Sequence, residues 1–343
     1  MYINQIELKN FRRFKTLKLF FHPLLNIIIA KNSMGKTSIL ESIYLALNNI
    51  GIRHEQDDEL INFNNQSAEI NLVLSEEQEK ERLKLIISRN QSKKFIFNKN
   101  SATFNEVKNK MPRAVLFTPT DIEVLTNTPD QRRKYINRLI SAKHLDYKTA
   151  ITNYENALRK RNKLLQNAKI TTDFTTQLNF WNSYLNQQAK IITGYRQLLT
   201  KTANSISEFY DYNFRLKYHK NEFSLDKAKQ LLELELKRGF TLCGPQKDDF
   251  SVLLKKDDNW LSVKNFGSRS EQRIAVLWLK KIEIEFLKNH FQPILLIDDL
   301  FSELDTENRV RISKFLLNNQ TILTSSSELT PNLIEFPKHI IKL

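Results

Sequence analysis

Pro293-Ile294-Leu295-Leu296-Ile297-Asp298-Asp299 runs four apolar residues into two adjacent carboxylates, and Ser302-Glu303-Leu304-Asp305 follows at once. A short, unbroken apolar run is the pattern of a strand covered on both faces, as in a parallel sheet. Such a strand delivers its terminal acids to the sheet edge, where oxygen ligands can hold Mg²⁺ beside a nucleotide. The complementary half lies far upstream. The apolar run Leu24 to Ile29 leads into Ala30-Lys31-Asn32-Ser33-Met34-Gly35-Lys36-Thr37, and an apolar-periodic helix from Ile39 to Leu47 follows. Strand, loop, Lys-Thr and helix in that order describe a phosphate-binding loop. The two halves together predict an α/β domain with an ATP site.

The chain has 343 residues, 41% of them hydrophobic, enough for two cores or for one core with a large insertion. No apolar run approaches the roughly 20 residues of a membrane helix, and Met1 to Leu8 reads as a strand with no signal-peptide zones. A cytosolic protein is expected. The single cysteine, Cys243, allows no intrachain disulfide and reads as a small buried residue. A net charge of +15 favours a polyanionic partner, with nucleic acid leading; solvated lysine-rich faces are the alternative.

Along the chain, residues 1–140 mix strands and helices. Strands are expected at Tyr2 to Leu8, Phe14 to Phe21, Leu25 to Ile29, Ala68 to Leu74, Leu83 to Ile87 and Ala114 to Phe117. From about Leu145 to Tyr210 the pattern turns helical: Tyr154, Leu158, Leu164 and Leu165, then Phe180, Trp181, Leu185, Ile191, Ile192, Leu198 and Leu199, form the apolar stripe of a hairpin. Strand signals return from Phe214, including Phe250 to Leu254 and Leu261 to Val263. The expected organisation is a head interrupted by an insertion: 1–140, a helical hairpin over 141–212, and 213–343.

Several stretches resemble the RecF family, bacterial recombination and gap-repair ATPases related to the heads of SMC and ABC proteins. They are Leu8-Lys9-Asn10-Phe11-Arg12, the phosphate loop, Pro129-Asp130-Gln131-Arg132-Arg133-Lys134-Tyr135-Ile136-Asn137, Leu158-Arg159-Lys160-Arg161-Asn162-Lys163-Leu164-Leu165, Gly244-Pro245-Gln246-Lys247-Asp248-Asp249-Phe250, and Asp298-Asp299 with Ser302 to Asp305 as Walker B and D-loop. Gly267-Ser268-Arg269-Ser270-Glu271-Gln272-Arg273 is similar to the family's signature loop, with Ser270 for its Gly. The resemblance implies an ABC-type ATPase head of mixed sheet and helices, interrupted by an α-helical hairpin.

Residues Ala30, Lys31, Asn32, Ser33, Met34, Gly35, Lys36, Thr37 and Ser38 are expected to cradle ATP, through backbone N–H groups at a helix N-terminus, with Lys36 neutralising the β and γ oxygens. Thr37 and Asp298 would ligate Mg²⁺. The resemblance further makes Asp299 the residue that orients or deprotonates the attacking water, whose short reach suggests slow hydrolysis. It also implies that Ser268, Arg269 and the Asp305 region act on the nucleotide of an opposed subunit in an ATP-bound homodimer. Ala30 and Ser33 stand where the family has Gly, and a Cβ forced into left-handed geometry costs roughly 1–2 kcal/mol, so two such positions would weaken binding.

Residues 143–222 hold 13 Lys and Arg against 6 Asp and Glu. Arg159, Lys160, Arg161 and Lys163 are therefore expected to meet DNA phosphates without regard to sequence; Arg12, Arg13 and Lys15 form a second candidate patch. Arg132 and Arg133 read equally well as ion-paired structural residues. By resemblance the partners are double-stranded DNA at gaps and junctions, a second copy of the chain and a RecR-type mediator, in a cytoplasmic, nucleoid-associated setting. The rival readings are an ATP-insensitive DNA-binding scaffold of the same fold and a nuclease-coupled relative.

Overall fold

A computed structural model describes residues 1–51, 57–77, 79–167, 172–300, 312, 314–326 and 337–343. In chain order the elements are β1 (Tyr2–Phe11), β2 (Phe14–Phe20), β3 (Leu25–Ile29), α1 (Lys36–Asn48), β4 (Ser67–Glu76), β5 (Glu79–Ser88), β6 (Lys94–Phe97), β7 (Asn100–Ala102), α2 (Phe104–Val107) and β8 (Ala114–Phe117). Then come α3 (Glu123–Thr126), α4 (Pro129–Lys143), α5 (Leu145–Gln166), α6 (Thr172–Asn204), β9 (Glu208–Phe209), β10 (Tyr212–His219), α7 (Leu225–Arg238), β11 (Asp249–Lys256), β12 (Asn259–Ser262), α8 (Val263–Phe266), α9 (Arg269–Leu287), β13 (Ile294–Asp298), β14 (Thr321–Ser325) and β15 (His339–Lys342). The chain folds into two units, one of Met1–Asp121 with Glu283–Leu343, the other Ile122–Ile282.

The first unit contains two sheets. One is parallel, in the order β15-β3-β14-β13-β8, and the other antiparallel, in the order β2-β1-β4-β5-β6-β7. β3 and β8 are buried at every position and β13 at all but its last, as their largely apolar sequences require; the one polar residue inside β3, Asn26, is satisfied by the His22 N–H and carbonyl at 2.7 and 2.9 Å. β4 instead alternates buried and half-buried positions over most of its length, the signature of a sheet with one face on the core. Helix α1 packs against β8, β13 and β14 and also against β4 and β5, so that Ile39, Leu40, Ile43 and Leu47 knit both sheets into one core. Because the parallel strands share a direction, the ends of β3, β13 and β14 emerge at one edge. That edge is where an open α/β sheet binds ligands.

The second unit joins the antiparallel sheet β12-β11-β10-β9 to the α5/α6 pair and α7. α5 buries Tyr147, Ala150, Tyr154, Ala157, Arg161 and Leu165, in steps of three and four; α6 answers with Leu185, Ala189, Ile192, Arg196, Leu199 and Ala203. This is a coiled-coil seam in which alanines let the helices approach closely. The seam corrects the stripe read from sequence: Phe180, Ile191 and Leu198 are exposed, and alanines and two arginines take seam positions instead. Strands β6, β7, β14 and β15 and helix α7 add to the elements expected.

Candidate functional site

The loop from Ala30 to Gly35 connects the buried end of β3 to α1. Gly35 is the N-cap of α1 at φ 92°, a left-handed conformation, and a Cβ there would lie 2.6 Å from Phe14 Cζ. Only glycine satisfies both constraints. Lys36 is 9% exposed, and its ammonium donates to the carbonyls of Ala30 at 2.6 Å and Lys31 at 3.2 Å, which holds the amine across the loop. Of the two positions expected to carry left-handed strain, Ser33 does, at φ 66°, whereas Ala30 is absent from the positive-φ residues. The expected penalty therefore falls at one position, about 1–2 kcal/mol, and not at two.

β14 lies between β3 and β13, so the lysine loop and the acidic strand end are one strand apart. Thr37 Oγ1 donates to Asp298 Oδ2 at 2.7 Å, and Thr324 Oγ1 donates to Asp298 Oδ1 at 2.6 Å. Asp299 turns the chain with φ 46° while its N–H donates to Thr324 Oγ1 at 3.2 Å. An adjacent hydroxyl and carboxylate form the hard oxygen set that Mg²⁺ prefers, so the residues present fit that ion.

A cleft of about 650 Å³ brings Asn32, Ser33, Gly35, Lys36, Thr37 and Ser38 together with Asp298 and Asp299. Ala30, Lys31 and Met34 lie on the same loop outside its lining. The cleft also takes in Arg12 and Arg13, offered from sequence as a second basic patch whose matching segment in relatives lies close to the nucleotide, and Glu59, Ile61 and Pro119, which had no role assigned from sequence. Arg12 is held by a two-point ion pair with Glu41 of α1, at 2.9 and 3.0 Å, and donates to the Glu59 carbonyl at 2.9 Å. Arg12 and Arg13 thus belong to this cleft. The signal was the Leu8 to Arg12 stretch itself.

Ser268 and Arg269 stand at the start of α9 in the second unit. Ser268 Oγ accepts from the Glu271 N–H at 3.2 Å, while the Ser268 N–H donates to Glu271 Oε2 at 2.7 Å, a reciprocal capping box. Lys256 pairs with Glu271 at 2.8 Å. Burial pushes the Glu271 carboxyl up, but the bonds from Lys256 and Ser268 outweigh it and hold its pKa below the usual value. Ser270 lies within the first turn of α9 and has no left-handed strain. Asp305, with Ser302 to Leu304, lies outside the described residues.

Arg161 is not available to DNA. It is 0% exposed, donating from Nη2 to Glu235 Oε2, from Nη1 to Thr241 Oγ1 and from Nε to Asn182 Oδ1, each at 2.7 Å. Position 161 falls on the helical seam, so its guanidinium points inward and takes a buried carboxylate as partner. Arg159, Lys160 and Lys163 are exposed. The Gly244 to Asp249 stretch is likewise structural. Asp248, fully buried, accepts from Arg196, Tyr218 and the Asn221 N–H, and Asp249 holds Arg132 by two bonds at 2.7 and 2.9 Å. Gln246 accepts from the buried Tyr154 hydroxyl, and Arg133 donates to the Asp248 carbonyl at 2.9 Å. Arg132 and Arg133 are therefore ion-paired and hydrogen-bonded residues of the second unit, and Cys243 is buried with its thiol pKa raised by burial.

The family described as RecF/RecN/SMC N terminal domain matches residues 2–333. Curated relatives include the DNA replication and repair protein RecF of Ligilactobacillus salivarius, 31% identical over 365 residues, covering 98% of this chain and 95% of the relative. That of Acetivibrio thermocellus is 30% identical over 353 residues, covering 96% and 94%. A solved structure of the recombination mediator protein RecF-ATP in the RecFOR pathway aligns with a TM-score of 0.78 at 27% identity, over 95% of this chain and 92% of that one. An Smc head bound to the C-winged helix domain of ScpA aligns at 0.57 and 13% identity, over 98% and 92%, and shares the fold alone. With an ABC-type ATPase head and near-complete matches of this kind, the chain belongs to the RecF family.

Proposed function

We propose that the chain is an ATP-dependent, sequence-independent DNA-binding protein that acts in the repair of gapped DNA, dimerising on ATP and hydrolysing it slowly. The observation that carries this reading is the Thr37–Asp298 hydrogen bond of 2.7 Å beside Lys36. It brings the loop that precedes α1 and the acidic end of β13 into one cleft. Backbone N–H groups at the start of α1 would bind phosphate with the help of the helix dipole, and Lys36 would neutralise β and γ oxygens. Thr37 and Asp298 would hold Mg²⁺, whose charge would offset that of the phosphates. Asp299 would orient or deprotonate the attacking water.

Two copies would close face to face, each offering Ser268, Arg269 and its Asp305 region to the nucleotide of the other. The similarity to RecF-ATP supports ATP as the ligand, and the repair function of the curated relatives supports DNA as the partner. Arg159, Lys160 and Lys163 would meet duplex phosphates near gaps and junctions, and a RecR-type mediator would cooperate in loading recombinase. The protein would work in the cytoplasm, on the nucleoid. The left-handed Ser33 favours a second reading, an ATP-insensitive scaffold of the same fold.

DNA binding with and without ATP across a salt series, alongside mass in solution, tests the proposal. The proposed function predicts tighter binding and a dimer with ATP, and a salt slope reduced by charge reversal at Arg159 and Lys163. A monomer that binds DNA equally with and without ATP would instead identify the scaffold.

A further inference from the structure

Near the far end of the α5/α6 hairpin, Phe180, Trp181 and Tyr184 occupy three of five consecutive positions on α6. They lie off the buried seam, which passes through Leu178 and Leu185. Packing of the hairpin does not use Phe180, which is 59% exposed. The rings are ordered against one another. Phe180 and Tyr184 are nearly parallel, 16° apart with centroids at 6.4 Å, and Trp181 meets Phe180 edge-on at 4.9 Å. From α5, the Lys160 ammonium lies 4.9 Å from the Trp181 centroid. Lys160, Lys163 and Trp181 help to line a cleft of about 560 Å³ in which Asp173 is the one acidic lining residue among the described residues.

We propose that this patch stacks the unpaired bases of single-stranded DNA. Exposed aromatic faces gain most from another flat π-face, and the neighbouring lysines supply phosphate neutralisation; these are the two components of sequence-tolerant single-strand binding. A duplex offers its phosphates but keeps its base faces occupied by their neighbours, so the rings discriminate in favour of the unpaired strand. Charge complementarity favours a nucleic acid over an apolar protein partner, because Lys160 and Lys163 are both exposed and face one acid, Asp173, among the described residues that line the cleft. The inference rests on the DNA-binding reading above and adds to it a site for the single-stranded edge of a gap.

The test compares three probes on the full chain: a short oligothymidylate, an abasic deoxyribose-phosphate strand of the same length, and a blunt duplex. The wild type is expected to bind oligothymidylate about tenfold more tightly than the abasic strand. Phe180→Ala with Tyr184→Ala should abolish that preference, leave duplex affinity within about twofold and leave the salt slope unchanged, because no phosphate contact is removed. Lys160→Gln should lower the slope on every probe. An unchanged thermal midpoint, and rescue of the preference by Phe180→Trp, separate stacking from misfolding. Equal affinity for oligothymidylate and the abasic strand, with duplex binding intact, overturns the stacking site alone. Loss of all three probes from the wild type overturns the DNA reading with it. Self-association without DNA that the double variant abolishes would assign the patch to a second copy and overturn the inference.

Discussion

Thr37 Oγ1 and Asp298 Oδ2 lie 2.7 Å apart although 261 positions separate them in sequence. β14 makes this possible by pairing with both β3 and β13 and by orienting Asp298 through Thr324. The carboxylate is therefore fixed on both oxygens, one by each threonine.

Asp298→Asn removes the charge while keeping the shape. Nucleotide binding by this variant should lose its dependence on Mg²⁺, whereas the wild type should bind more weakly once the ion is chelated. Titrating a fluorescent ATP analogue with and without chelator checks this. Equal Mg²⁺ dependence in the two proteins would move the ion elsewhere.

Ser33→Gly should raise analogue affinity by up to about thirtyfold, the equivalent of relieving roughly 1–2 kcal/mol of left-handed strain. Ala30→Gly should change it less than about twofold, since Ala30 has no positive φ. The same titration ranks the two. An effect at position 30 larger than at 33 would contradict the strain argument.

Arg161→Ala would leave Glu235 buried without its cation and should cost about 3–5 kcal/mol in denaturant unfolding. Arg161→Met combined with Glu235→Leu should recover most of that loss, because a well-packed apolar pair replaces a buried ion pair at little cost. A double variant as damaged as the single one would show that Thr241 and Asn182, not Glu235, carry the interaction.

Glu271 sets a pH response. Its folded pKa is lowered from 4.5, so its stabilisation of the α9 start is fully present above about pH 4.5 and fades as pH falls through the folded value. Protection of the Ser268 amide from hydrogen exchange, taken relative to the intrinsic rate at each pH, should decline over that fall. Glu271→Gln should be less protected at neutral pH and respond less to acid. Protection lost well above pH 4.5 would implicate another group.

Much of this molecule was legible in sequence because buried parallel strands leave short, largely apolar runs. Leu25–Ile29 and Ala114–Phe117 form strands with the bounds expected, and Ile294–Asp298 carries its acid at the end. β14 was not, since Thr321-Ile322-Leu323-Thr324-Ser325 looks polar; the Thr321 and Thr324 hydroxyls are satisfied by the Leu316 carbonyl and by Asp298, which lets the strand be buried throughout. Arg161 misled for a related reason. Beside Arg159, Lys160 and Lys163 it reads as one basic cluster, yet it continues the Tyr147, Ala150, Tyr154, Ala157 seam, and a partner remote in sequence, Glu235, pays its burial. Composition gives the charge of a helix; only its phase, and the carboxylates that reach it, give the direction.

The most direct measurement is saturation binding of a fluorescent ATP analogue, in Mg²⁺, to the wild type and to Lys36→Ala. Saturable binding by the wild type, weakened at least about tenfold by loss of the amine that spans the loop, is the predicted result. Equal and negligible binding by both proteins would contradict a nucleotide site between Lys36 and Asp298.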